Sequence, residues 1–161
     1  MNIEKIISNV TSGSDLSEDE TFQIINAIFE GKISEEKIIS FLQALSEKGE
    51  SVEEIVGAVK SMRKHSIKVN TNLKDLVDCC GTGGLGKNIM NISTCSAFVA
   101  AAGGVKIAKH GNRTSTGVSG SADILEAAGV NISIDSEKVS KCIESVGIGF
   151  MFAQNHHPGM K

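Results

Sequence analysis

The sequence predicts an α/β protein in two parts, an all-helical domain over residues 1–70 and a mainly parallel α/β domain over residues 71–161. Three observations carry this. Apolar residues recur at helical spacing as far as Met62; short apolar runs then alternate with helical ones; and a glycine cluster, Gly81-Thr82-Gly83-Gly84-Leu85-Gly86, follows the first of those runs.

In the first part, apolar residues group as Ile3, Ile6, Ile7 and Val10; Phe22, Ile25, Ile28 and Phe29; Ile38, Ile39, Leu42 and Leu45; and Val52, Ile55, Val56, Val59 and Met62. Each set lies on one side of a 3.6-residue period, so four helices are expected. Ser17 with Glu20 and Ser51 with Glu54 have capping-box spacing, and Ser34 is placed to cap the third helix. Gly31 and Gly49 stand where the second and third helices should stop. The short linkers predict antiparallel packing. No polar residue recurs on these apolar faces, so the domain reads as scaffold and as a subunit interface, with a homodimer expected.

Beyond the link from Ile67 to Lys74, strands are expected at Leu76–Cys80, Val105–Ala108 and Ile148–Phe152, and helices at Ser93–Ala102, Ser121–Ala128 and Ser136–Val146. Alternation of this kind indicates a parallel sheet covered by helices, whose ligands bind beyond the carboxyl ends of the strands. Three polar segments would converge there: the glycine loop, Lys109 to Gly120, and Gln154 to Lys161.

Composition narrows the function. The chain has 161 residues, 40% hydrophobic and 22% charged, with a net charge of −3. No apolar run approaches the roughly 18 residues of a membrane span. The start, Met1-Asn2-Ile3-Glu4-Lys5, lacks the basic and apolar regions of a signal peptide, so a cytoplasmic location is expected. Cys79, Cys80, Cys95 and Cys142 have no zinc-ligand spacing and read as reduced core residues. From Cys79 to Ala122 there is no Asp or Glu, while Lys87, Lys106, Lys109 and Arg113 fall in that span. A cationic, glycine-rich island in an acidic chain suits a small polyanion better than a nucleic-acid surface.

Glycines after a strand allow several backbone N–H groups to turn toward one anion. Gly81, Gly83 and Gly86 satisfy G-x-G-x-x-G, but a dinucleotide site needs a helix opening at the last glycine and an acid about 20 residues on, and neither is present. A Walker loop is excluded because no Gly-Lys-Ser/Thr follows. Asn91-Ile92-Ser93-Thr94 opens the next helix with an amide and two hydroxyls, with Ser93 as the expected N-cap. Lys109 to Gly117 adds two permanent cations, an imidazole and four hydroxyl or amide groups; Lys109, at the end of the second strand, offers phosphate a point charge and Arg113 a planar fork. In His156-His157-Pro158 adjacent side chains point apart and no third metal ligand is evident, so a substrate wall or a turn is the better reading.

Gly81-Thr82-Gly83-Gly84, Asn91-Ile92-Ser93-Thr94, Lys109-His110-Gly111-Asn112-Arg113, Ser119-Gly120-Ser121 and His156-His157-Pro158-Gly159-Met160-Lys161, in this order and spacing, resemble the anthranilate phosphoribosyltransferase family of tryptophan biosynthesis. The resemblance covers the whole chain and corresponds to the N-terminal half of the family's usual length. It implies the two-domain fold of nucleoside phosphorylases and phosphoribosyltransferases, with the second domain incomplete at its C-terminal end. It also implies transfer of phosphoribose from 5-phosphoribosyl 1-diphosphate (PRPP) to the amine of anthranilate, with Mg2+ and release of pyrophosphate.

By position, the resemblance implies that Gly81 and Gly84 approach the diphosphate and ribose, with Leu85 beside them. Asn91, Ser93 and Thr94 would meet the diphosphate, Ser93 also meeting Mg2+. Lys109, Asn112, Arg113, Ser115 and Gly117, with Ser121, would hold the sugar phosphate and diphosphate. Gly81 and Asn112 would line the anthranilate site, with His110 and His157 nearby. No nucleophile is implied, since fixed donors and cations can stabilise the charge that builds on departing pyrophosphate. The chain departs from the family at Leu85, where the family carries Asp, at Ile89, where it carries Thr, and at Gly159, where it carries Ala. The family's arginine for the anthranilate carboxylate and its Asp-Glu pair for a second Mg2+ lie beyond Lys161, so reduced or absent activity of this chain alone is expected. The alternatives are a pyrimidine nucleoside phosphorylase-like enzyme and a non-catalytic relative that binds phosphate or nucleic acid.

Overall fold

A computed structural model describes residues 3–81, 90–114 and 119–158. Met1–Ser66 with His157–Lys161 form one compact unit, and Ile67–His156 form a second.

The first unit holds α1 (Ile3–Thr11), α2 (Glu18–Phe29), α3 (Glu35–Lys48) and α4 (Val52–His65). Both expected capping boxes are formed, Ser17 with Glu20 and Ser51 with Glu54, whereas Ser34 sits at the N-cap of α3 without a side-chain hydrogen bond. Gly49 ends α3 with φ +83°, a conformation in which a Cβ is unfavourable. Helices two apart in the chain make the main contacts, α1 on α3 and α2 on α4. Ile6, Val10, Leu16, Ile24, Ala27, Ile33, Phe41 and Ala44 form the core.

The buried face of α4 is the opposite of the expected one. Val52, Ile55 and Val59 are exposed, as are Ile39 and Leu42 of α3, while Glu54, Gly57 and Ser61 are buried. The cause is a close helix crossing. A Cβ on Gly57 would lie 2.3 Å from the Glu18 carbonyl oxygen and 2.9 Å from Thr21 Cβ, so only a residue without a side chain lets α4 lie this near α2. Glu54 tolerates the position because its carboxylate accepts from Leu16 N (2.9 Å), Ser51 N (2.7 Å) and Lys48 Nζ (2.9 Å).

The second unit holds α5 (Ile92–Ala102), β1 (Ile107–Gly111), α6 (Ser121–Ala127), α7 (Ser136–Val146), β2 (Ile148–Phe152) and the single turn α8 (Ala153–His156). β1 and β2 pair in parallel from Ile107↔Ile148 to Gly111↔Phe152. The expected first strand reduces to one parallel bridge, Val77↔Ile107. Its continuation is displaced because the Asp78 carboxylate takes Cys80 N (3.0 Å) and His110 N (3.2 Å) in place of ladder bonds. The second strand starts and ends later than the expected Val105–Ala108, so Lys109 is central in β1 instead of at its end. Pairing with β2 extends the strand past the apolar run. Ala122, Leu125, Ile132, Phe150 and Phe152 pack as one cluster, and Gly149 lets β2 approach α7, where a Cβ would meet the Val139 carbonyl oxygen at 2.7 Å. Ile67 N donates to the His156 carbonyl (2.8 Å) and His156 Nδ1 lies 3.0 Å from the Ile67 carbonyl, joining the two ends of this unit.

Among the described residues no helix is long and apolar enough to cross a membrane. The four thiols are free, but none is core: Cys79 and Cys142 are half-buried, and Cys80 and Cys95 are exposed.

Candidate phosphate-binding site

The site is built in the second unit where the segment after Val77, the start of α5 and the C-terminal end of β1 meet. Asn91, rather than Ser93, caps α5, its Oδ1 accepting from Thr94 N at 3.0 Å. The cap therefore makes no use of the Ser93 hydroxyl. Gly81 faces that hydroxyl, since a Cβ built on it would lie 3.7 Å from Ser93 Oγ. Asn91 Nδ2 reaches the Ser119 carbonyl at 3.4 Å, tying the start of α5 to the segment before α6.

Beneath this rim lie two buried polar groups with little to satisfy them. Lys109 is 2% exposed, and its Nζ has Cys79 Sγ, at 4.0 Å, as its hydrogen-bond partner among the described residues. Thr94 is 1% exposed, and its Oγ1 has no hydrogen-bond partner there. Cys79 Sγ donates in turn to the Ser93 carbonyl at 3.2 Å, so one thiol links β1 to α5. A buried ammonium whose partner among the described residues is a sulfur, near the start of a helix, is chemistry suited to an anion.

On the neighbouring surface, His110 Nδ1 lies 3.8 Å from Cys80 Sγ. Burial pushes the Cys80 thiol up, and the Asp78 carboxylate adds to the shift. The thiol stays protonated at neutral pH and is a poor nucleophile.

The end of β1 is fastened to α6. A Cβ on Gly111 would strike Ser121 Oγ at 2.6 Å and Phe150 Cε2 at 2.8 Å, so glycine there lets Ser121 sit against the strand. Ala122 N donates to the Asn112 carbonyl (3.2 Å), and Asn112 Oδ1 accepts from Arg113 N (2.8 Å). Arg113 turns its fork to Glu126, Nη2 to Oε1 at 2.6 Å and Nε to Oε2 at 3.2 Å, with its guanidinium 5.4 Å from the Phe152 ring centroid. Asp123 Oδ2 accepts from both Thr114 N (3.0 Å) and Gly120 N (2.8 Å), and these donors hold its carboxyl below the usual range.

Of the residues expected at the site, Gly81, Asn91, Ser93, Thr94, Lys109, His110, Asn112, Arg113 and Ser121 all belong to the second unit. His157 belongs to the first. Gly84, Leu85, Ser115 and Gly117 lie outside the described residues, as does Ile89. Sequence reasoning passed over Cys79, Asp78 and Asp123. Asp123 could have been found from its position three residues after Gly120, the spacing at which a carboxylate closes a helix N-terminus. For Mg2+, which keeps several waters and binds through few protein oxygens plus substrate phosphates, the uncommitted Ser93 hydroxyl is a suitable donor. Among the described residues there is no group of three or more His, Cys, Asp or Glu that could hold a metal ion.

Lys109, buried on a parallel strand, is linked through Cys79 to the first turn of α5 in an α/β unit, chemistry that suits a phosphate. The chain belongs to the glycosyl transferase family: the family's a/b domain matches residues 73–161 and its helical bundle domain residues 4–66. It is 49% identical over 161 residues to the anthranilate phosphoribosyltransferase of Teredinibacter turnerae, covering all of this chain and 47% of that protein. It is 52% identical over 159 residues to that of Acetivibrio thermocellus, covering 99% and 46%. Among solved structures, the anthranilate phosphoribosyltransferase of Thermus thermophilus matches with TM-score 0.87 and 41% identity over 96% of this chain and 47% of that one. The Saccharomyces cerevisiae enzyme in complex with PRPP and Mg matches with TM-score 0.84 and 29% identity, over 98% and 48%. The chain thus spans about half the length of the curated relatives it matches.

Proposed function

We propose that this chain carries the PRPP site of an anthranilate phosphoribosyltransferase, which moves phosphoribose from PRPP to the amine of anthranilate and releases pyrophosphate. The observation that carries the reading is the Lys109 ammonium, 2% exposed and 4.0 Å from a thiol sulfur. A diphosphate oxygen would satisfy it far better than sulfur does. Thr94 Oγ1 and the α5 N–H groups would donate to the same diphosphate, and Gly81 would leave room for it beside Ser93. As the bond from the sugar to the diphosphate breaks, negative charge collects on the leaving group and positive charge on the ribose. Lys109 and the helix N-terminus would stabilise the first without reorganising. Mg2+, with Ser93 as its protein ligand, would supply further charge neutralisation. Asn112 and His110 would face anthranilate, and Ser121 would stand at the phosphate side. Arg113 gives Glu126 its Nε and one Nη2 hydrogen, and its other N–H donors could still meet a phosphate.

Calorimetric titration of the chain with PRPP and Mg2+ tests the reading. Saturable binding that pyrophosphate competes away is expected, and absence of binding overturns it. We further propose a homodimer through the helical domain, supported by the exposed Ile39 and Leu42 of α3 and Val52, Ile55 and Val59 of α4.

A further inference from the structure

We propose that Asp123 is a positioning residue for ligand binding, acting through Asn112. The inference rests on the PRPP and anthranilate reading of Asn112 above and deepens it. The turn Asn112-Arg113-Thr114 follows β1 directly, and four contacts fix it to α6 and the residue before it. Asp123 Oδ2 draws Thr114 N and Gly120 N to one oxygen, at 3.0 and 2.8 Å. Gly120 is thereby held under the turn so closely that a Cβ would lie 2.4 Å from Thr114 N and 2.7 Å from the Asn112 carbonyl oxygen. Ala122 N takes that carbonyl at 3.2 Å. Glu126 takes the Arg113 fork.

The segment is held by the chain's own contacts, and its chemistry follows from what those contacts consume. Asn112 Oδ1 is occupied by Arg113 N at 2.8 Å. What the exposed Asn112 presents is its amide NH2, a donor with two hydrogens. Such a donor selects an anionic oxygen, either a phosphate oxygen of PRPP or the carboxylate of anthranilate. Without Asp123, the two N–H groups lose their shared acceptor, Gly120 is freed, and the Asn112 amide is no longer pre-set. Asp123 touches no ligand in this scheme.

The test is a double-mutant cycle on the full chain, with D123A, N112A and the pair, titrated separately with PRPP plus Mg2+ and with anthranilate. The ligand that accepts from Asn112 should bind about tenfold more weakly to D123A, the equivalent of one charge-assisted hydrogen bond. N112A should show a similar loss, and the double variant little more than either single one. D123N, which keeps a carbonyl oxygen at the same place, should recover part of the loss and serves as the folded variant if D123A unfolds. Wild-type affinity in D123A, or additive losses in the pair, overturns the proposal. If the wild-type chain binds neither ligand, the functional reading fails, and NMR decides the positioning claim separately. The Thr114 and Gly120 amide protons and the Asn112 side-chain NH2 should shift in D123A, and unchanged resonances overturn it.

Discussion

Lys109 Nζ and Cys79 Sγ lie 4.0 Å apart at the root of the glycine loop, and the ammonium is 2% exposed. A thiol is a weak acceptor, so this pair by itself offsets little of the cost of burying that charge. That thiol is the ammonium's hydrogen-bond partner among the described residues, which is the ground on which an anion-binding role is proposed for Lys109.

Lys109→Met should for this reason separate binding from stability. Pyrophosphate and PRPP affinity should fall about a hundredfold, the scale of losing a desolvated charge partner. The thermal midpoint should hold or rise, because a thioether of similar length fills the site without a charge to bury. Calorimetry and a thermal melt on the same sample decide it; a melt that drops several degrees with binding retained would contradict this account.

Acid should weaken the helical unit through Glu54. Burial raises its pKa, but the Ser51 and Leu16 N–H groups and the Lys48 ammonium more than offset that, so its folded value lies below the ordinary one. A depressed carboxylate contributes stability that is present above its unfolded pKa and lost as pH falls through the folded pKa. Urea melts between neutral pH and pH ~3 should show stability falling across the range below the unfolded carboxylate value. Glu54→Gln should flatten that slope and lower stability at neutral pH, because the amide accepts more weakly from Ser51 N and Leu16 N and loses its charge pairing with Lys48, which keeps Asp15.

Gly57→Ala should destabilise the same unit by about 2 kcal/mol, an overpacking cost. The added methyl would meet backbone at 2.3 Å and force α4 away from α2. A denaturant midpoint equal to that of the wild-type chain would show that the crossing is looser than described.

The exposed stripe of α3 and α4 predicts the oligomeric state. Ile55→Glu, placed in the middle of Val52, Ile55 and Val59, should convert a dimer to monomer in sedimentation velocity while leaving the circular dichroism spectrum unchanged. A wild-type chain that sediments as a monomer at micromolar concentration would remove the basis for the dimer.

Much of the local structure could be read from the chain because its causes are local. The capping boxes at Ser17–Glu20 and Ser51–Glu54 join residues three apart, and Gly49 stops α3 through its own φ. The apolar run Ile148–Phe152 needed only its alternation with helices to be read as a strand. The helical first part and the parallel α/β second part follow from such signals summed along the chain.

Spatial pairing settled the rest. Which face of α4 turns inward depends on how near α2 lies, and one glycine, with a carboxylate satisfied from Leu16 and Lys48, outweighed three apolar side chains. Lys109 became a buried cation because β2 extended the ladder past the apolar residues of β1. Asp78 ended the first strand by bonding His110 N, and Arg113 found Glu126 instead of open solvent. Each of these is an interaction between groups well separated in the chain, whose energy depends on a distance that residue order does not specify. Residue order therefore determined the elements and the polar, glycine-rich character of the loops, while packing determined which polar groups pair with one another.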